Sequence, residues 1–357
     1  MKIGPVSLSS PFVIAPMAGM TDTAFRRLVK RQGGCGLVVT EMVSSEGLVR
    51  GIDRTLEYTE FTEEERPVSI QIFGGDPEKM ADAAQIVESL GADIVDVNMG
   101  CPVRKISRHN AGCSLMREPQ HAASVIAAMT KKVRIPVTVK MRAGWSDDSI
   151  TAPELARRVQ DAGAAAVAVH GRTAEQSYSG QSDWSLIDRV AESLSIPVFG
   201  SGDCIEPEQV LERMRGGNVS GVLVGRGVLR NPWILAQAGD LVAGRPMRVI
   251  TDEARGHFLI EYMELLLHDG ENDADGFRHS ANTGGVRLQA DPHDLAGRAR
   301  HERWVINKMR ALMSWYSKGL HNGGHLRTDI NAATSIAQAR DIIEHFFSVA
   351  ETATSAV

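Results

Sequence analysis

Residues 136–172 read PVTVKMRAGWSDDSITAPELARRVQDAGAAAVAVHGR. Two short apolar runs, PVTVKM and AVAVH, bracket the helical stretch APELARRVQDAGA, and Gly163 stands where a left-handed residue ends a helix. The same unit recurs along the chain. FVIAPM starts at 12, GLVVTEM at 36, PVSIQIFG at 67, DIVDVNMG at 93, PVFGSGD at 197 and GVLVGRG at 221, with helical stretches such as EKMADAAQIVESLGA between them. Strands that are apolar almost throughout belong to a parallel sheet covered on both faces, and eight strand-helix units close into a barrel. The expected fold is a (β/α)8 TIM barrel over 1–240, with a doubly wound open sheet as the alternative.

Beyond about residue 240 the strand pattern stops, and ARGHFLIEYMELLLH (254–268), RWVINKMRALMSWYSKGL (303–320) and SIAQARDIIEHFFSV (335–349) carry helical periodicity. A smaller α-helical domain over 241–350 is expected. The polar, Gly- and Asp-rich stretch from 269 to 300 has no apolar period and reads as a flexible insertion.

A chain of 357 residues with 43% hydrophobic and 23% charged residues has the composition of a globular protein large enough for such a barrel and an added domain. No apolar run reaches the length of a membrane span, and the start MKIGPVSLSSPF lacks the apolar core of a signal peptide, so a cytoplasmic protein is expected. Cys35, Cys101, Cys113 and Cys204 lie far apart, with no pair at metal-site spacing, which predicts reduced thiols and no metal. The net charge of −5 argues against a nucleic-acid partner only if charge is evenly spread.

Barrel chemistry gathers at the C-terminal ends of the strands. Those ends supply Met17 and Ala18, Glu41, Gln71, Asn98 and Cys101, Lys140 and Arg142, His170 and Arg172, Ser201 to Asp203, and Gly225 with Arg226. The seventh and eighth end in GSGD and GRG, the position at which many barrels hold a phosphate, with glycine backbone approaching the oxygens and Arg226 adding charge. That signal alone indicates a phosphorylated ligand and no particular reaction.

APMAGMTD (15–22), QIFGGDP (71–77), NMGCPVRK (98–105), VKMRAGW (139–145) and HGRTAEQSYSG (170–180) occur in an order that resembles the tRNA-dihydrouridine synthases, the bacterial B type most of all. The resemblance spans about residues 3–238 and resumes in the C-terminal helices. It implies FMN held by Pro16, Met17, Ala18, Gln71, Lys140, His170, Ser201, Gly202, Asp203, Gly225 and Arg226, NADPH as reductant, and a uridine of the tRNA D-loop as substrate. In this reading Lys140 supplies the cation a reduced flavin needs, and the Gln71 amide meets the polar edge of the ring. Cys101 is the proton donor: a thiol with an ordinary pKa of about 8.5 is protonated at neutral pH. Asn98, Arg142 and Arg172 are expected to contact substrate.

Arg104 and Lys105, after Cys101, and Arg310, in a basic stretch with Arg303, Lys308, Lys318 and Arg327, are the expected tRNA contacts. Trp315 and Tyr316 in that stretch read first as packing residues. Two departures from the family pattern stand out: Ala311 and Leu312 replace a Lys-His pair, and Ser201 replaces an asparagine. Two other readings remain open, an FMN barrel oxidoreductase acting on a small pyrimidine and a non-catalytic RNA-binding homologue. A monomer is the expected state.

Overall fold

In the computed structural model, which describes residues 1–103, 110–268, 273–280 and 295–354, eight parallel strands close on themselves. They are β1 (Phe12–Ile14), β2 (Leu37–Val39), β3 (Val68–Phe73), β4 (Ile94–Met99), β5 (Val137–Arg142), β6 (Ala166–His170), β7 (Val198–Ser201) and β8 (Gly221–Val224). Each pairs with its neighbour in sequence, and β8 pairs with β1 to shut the ring. The open-sheet alternative is thereby excluded. The covering helices are α1 (Thr23–Gln32), α2 (Pro77–Ser89), α3 (Pro119–Lys132), α4 (Ala152–Asp161), α5 (Trp184–Glu192), α6 (Pro207–Arg215), the short α7 (Arg226–Arg230) and α8 (Ile234–Val242). After β2 the covering element is two five-residue helices, Ser45–Val49 and Asp53–Glu57.

Strand alternation decides what enters the barrel. Val13, Leu37, Val39, Ile94, Ala166, Ala168, Phe199 and Leu223 form an inner apolar cluster, closed at the bottom by Ile3 and Leu8 near the N-terminal hairpin Lys2–Ile3/Val6–Ser7. The other parity, including Val38, Ile70, Val95, Val139, Val167 and Val222, packs outward among the helices. The inner parity continues upward as Ser69 and Gln71, Asp96 and Asn98, Thr138, Lys140 and Arg142, His170 and Ser201. The inward face is therefore apolar below and polar at the mouth.

The C-terminal helices are α9 (Asp252–Leu267), α10 (Leu295–Tyr316), α11 (Gly323–Ala332) and α12 (Ile336–Thr354). Phe258 and Tyr262 of α9 meet Phe25 of α1 edge-on, with centroids 6.2 and 6.1 Å apart, and Tyr316 stacks on Phe258 at 5.9 Å. One buried cluster runs from the barrel's outer layer into these helices. Of the insertion expected at 269–300, residues 273–280 and 295–300 are described. Arg278–His279 pairs antiparallel with Phe61–Thr62, His279 stacks on Phe61 at 4.6 Å, and α10 already begins at Leu295. Among the described residues no helix is long and apolar enough to cross a membrane.

Candidate active site

The site grows from the tops of β3, β4 and β5. Thr138 donates to Asp96 Oδ1 (2.6 Å), Gln71 Nε2 to Asp96 Oδ2 (2.7 Å) and Asn98 Nδ2 to Gln71 Oε1 (2.8 Å). Asn98 Oδ1 in turn accepts the backbone N–H groups of Gly100 (3.1 Å) and Cys101 (2.9 Å). Cys101 is half-buried, and burial pushes its thiol above the ordinary value against the Val103 N–H and the charges of Arg142 and Lys140, so it stays protonated at neutral pH. Its carbonyl accepts from Cys113 N–H at 3.2 Å. Cys35, Cys113 and Cys204 are buried; burial raises all three, Cys113 to about 11 and Cys204 to about 12, which leaves them unreactive.

Across the mouth stands a group of cations. Burial and Arg142 bring Lys140 down to about 8. Burial, then Lys140, Arg142, Arg172 and Arg226, press His170 down to about 2, so its ring is neutral. Arg226 lies over the Tyr178 ring at 4.7 Å and Arg142 at 5.8 Å, while Tyr178 itself is 61% exposed. A neutral imidazole stands among four cations that outnumber the nearby carboxylate Asp203, and a phosphorylated ligand would add to the negative charge there.

Backbone at the end of β7 is tightly packed, whereas that at the end of β8 is open to such a ligand. Gly202 has φ of +124°, and a Cβ there would stand 2.3 Å from Ser182 Oγ and 3.0 Å from His170 Cδ2, so no other residue fits. Gly225 is open: a Cβ would meet nothing nearer than Met17 Sδ at 3.6 Å and Ala15 Cβ at 3.7 Å. Asp203, at φ +54°, turns its carboxylate onto Arg172 (2.7 and 2.9 Å) and the Ser182 N–H (2.7 Å). Burial acts to raise the Asp203 carboxyl, but the Ser182 N–H, Arg172 and Arg226 outweigh it and hold it low. The loop after β1, which carries Pro16, Met17 and Ala18, is fixed by Met17 N–H to Thr21 Oγ1 (3.0 Å) and Gly19 N–H to the buried Glu41 (2.5 Å).

The family model for dihydrouridine synthase (Dus) matches residues 13–283. The chain belongs to the dihydrouridine synthase family. A "Probable tRNA-dihydrouridine synthase" of Rickettsia bellii (strain RML369-C) is 35% identical over 349 residues, covering 97% of this chain and 98% of its own. One from Rhizobium leguminosarum bv. phaseoli is 37% identical over 317 residues, 83% of this chain and 96% of its own. The "tRNA-dihydrouridine synthase B" of Xanthomonas axonopodis pv. citri (strain 306) is 37% identical over 263 residues, 72% of this chain and 79% of its own.

In this dihydrouridine synthase family member, several residues expected to touch substrate have other partners. Arg142 donates to the carbonyls of Gly100 (2.8 Å), Thr173 (2.9 Å) and Ser177 (2.9 Å). Arg172 donates to Ser179 O (3.0 Å), Gly180 O (2.7 Å) and Asp203, so both arginines tie loops of the mouth together. Asn98 holds the Cys101 turn, as above. Arg310 donates to Asn307 Oδ1 (3.1 Å) and Ala333 O (2.9 Å), which joins α10 to the end of α11. Arg104 and Lys105 lie outside the described residues. Leu312 is fully packed, a position at which a charged side chain would be buried, and Tyr316 is likewise in the core. Lys308 reaches the barrel, donating to Gly19 O (3.0 Å) and pairing with Asp22 (2.9 Å).

Three residues of the site escaped sequence reading: Asp96, Thr138 and Tyr178. Asp96 and Thr138 lie two positions from Asn98 and Lys140, the strand period that puts them on the inward face, and that spacing is the signal that would have found them. Tyr178 sits in a loop without period, and only its place in the HGRTAEQSYSG segment marks it.

Proposed function

We propose that this chain is a tRNA-dihydrouridine synthase that uses FMN and NADPH to reduce the C5–C6 bond of a D-loop uridine, with Cys101 as proton donor. The observation that carries this reading is the pairing of a thiol kept protonated by burial with a mouth crowded by Lys140, Arg142, Arg172 and Arg226 around a neutral His170. FMN fits that donor set: the open Gly225 would admit its phosphate beside Arg226, with Ser201, Gly202 and Asp203 forming the neighbouring loop. Pro16, Met17 and Ala18 would line the cofactor. When bound, the flavin supplies the hydride. Lys140 provides positive charge for an electron-rich ring, neutral His170 can donate a hydrogen bond without adding charge, and Gln71 keeps one N–H and one lone pair beyond those given to Asp96 and Asn98. Cys101 gives its proton to the uracil carbon that does not receive hydride, and the resulting thiolate regains a proton from water.

The names of the relatives support tRNA as substrate, and a cytoplasmic monomer completes the reading. The deciding experiment mixes purified protein with unmodified tRNA and NADPH. Dihydrouridine in the tRNA is the expected result. Reduction of free pyrimidine with no change in tRNA overturns it in favour of a small-molecule oxidoreductase, and no reduction of either leaves a non-catalytic homologue.

A further inference from the structure

We infer that Asp96 is a positioning residue that sets the orientation of Cys101 through Gln71 and Asn98; the inference rests on Cys101 being the proton donor. Asp96 is only 6% exposed and lies on β4 below the mouth. Its part follows from the direction of each hydrogen bond. A carboxylate only accepts, so Gln71 must turn its NH2 toward Asp96 Oδ2 (2.7 Å). The Gln71 oxygen then faces Asn98 Nδ2 (2.8 Å), and the Asn98 oxygen is left to face the N–H groups of Gly100 and Cys101. Reverse the first bond and the series reverses: Asn98 would present its own donors to two backbone donors. The two ends agree: the N–H groups of Gly100 and Cys101 can only donate and the Asp96 carboxylate can only accept, so the two amides join them in one direction and Asp96 holds the far end in place.

The Gly100–Cys101 turn has other restraints. Arg142 Nε holds Gly100 O at 2.8 Å, and Cys113 N–H holds Cys101 O at 3.2 Å. These fix the carbonyl side only. The N–H side depends on the amide series, which is anchored in the barrel by Asp96, itself held by Thr138 at 2.6 Å. Burial favours the neutral carboxyl of Asp96, yet the direction survives protonation, because the Thr138 hydroxyl can accept as readily as donate and the other oxygen still faces Gln71.

The test reads alkylation of Cys101 by iodoacetamide in the purified protein without tRNA, alongside kcat and KM for tRNA. Asp96→Ala frees the turn: alkylation rises about tenfold and kcat falls about tenfold or more, with KM within about twofold, since a small misplacement of a reacting group weighs on the chemical step. Asp96→Asn still offers an oxygen to Gln71 while Thr138 accepts from its amide, so it stays within about threefold of wild type on both counts. Asp96→Ala added to Asn98→Ala changes alkylation by no more than about twofold beyond Asn98→Ala alone, the non-additivity of residues acting in series. Alkylation unchanged in Asp96→Ala, full additivity, or Asp96→Asn as impaired as Asp96→Ala overturns the inference. Should Asp96→Ala fail to fold, the near-isosteric Asp96→Asn/Thr138→Val removes the acceptor for the new amide and turns it toward Gln71. The same rise in alkylation is then expected, and its absence overturns the inference. Alkylation needs no turnover, so a wild-type protein that makes no dihydrouridine would sink the functional proposal while this comparison still decides the role of Asp96.

Discussion

Lys140 stands among like charges near the top of β5, and burial followed by Arg142 holds it at about 8 rather than 10.5. The unfolded chain keeps that proton up to the ordinary value while the folded protein releases it near 8. Between the two the unfolded state binds more protons, so stability rises with pH there; below about 8 the full penalty of the buried cation is present. Lys140→Met is therefore expected to stabilise the flavin-free protein at neutral pH by about 1–3 kcal/mol and to flatten that rise, read by urea unfolding across pH. The same variant loses flavin on gel filtration; a Met variant that is less stable, or retains flavin, contradicts the assignment. Cys101 makes the complementary case. Cys101→Ala leaves reduction of the flavin by NADPH intact in stopped-flow while dihydrouridine formation drops about 10²–10⁴-fold, the usual contribution of a general acid. With Cys101 as donor, wild-type turnover is expected to fall off only on the alkaline side, because the thiol would act protonated and burial raises its pKa. At this scale Cys101, Lys140 and His170 stood out in the sequence, because each lies at or within two residues of the C-terminal end of an apolar strand. The partners of Arg142, Arg172 and Arg310 could not, since they are carbonyls brought close only by tertiary folding.

Among the elements, α9 is the joint between barrel and C-terminal helices. Phe258 touches Phe25, Trp233 and Tyr316 at once, and its truncation is expected to cost about 3–5 kcal/mol in chemical denaturation, the range for a buried aromatic. Tyr262→Phe removes one hydrogen bond, 2.9 Å to Asp22, and should cost about 1 kcal/mol. Equal effects from the two would mean that the polar contact, not the aromatic packing, carries the joint. The eight barrel strands were legible because burial on both faces makes each a continuous apolar run. The α11 helix was not, being short, opened by Gly323 and Gly324, and apolar at few positions. The pairing of Phe61–Thr62 with Arg278–His279 was equally hidden, because two-residue strands have no period to detect and their partners are far apart in sequence.

Taken whole, the molecule has one buried cluster running from the barrel's outer layer into α9, α10 and α12. A chain ending at residue 240 would expose Phe25, Leu28 and the rest of that α1 face, so it should be recovered aggregated or without flavin; a soluble, flavin-binding fragment would show that the barrel stands alone. That experiment would test the division into 1–240 and 241–350, which is drawn from the sequence pattern. Charge is also unevenly placed. The chain carries −5 overall, yet Lys140, Arg142, Arg172 and Arg226 crowd its mouth against Asp203 and the deeper Asp96. To an approaching polyanion such a body behaves as a compass needle, turning the mouth toward the incoming strand before contact. Arrival should then be the salt-sensitive event: raising ionic strength slows association with tRNA in stopped-flow while the rate of reduction at saturating tRNA holds steady.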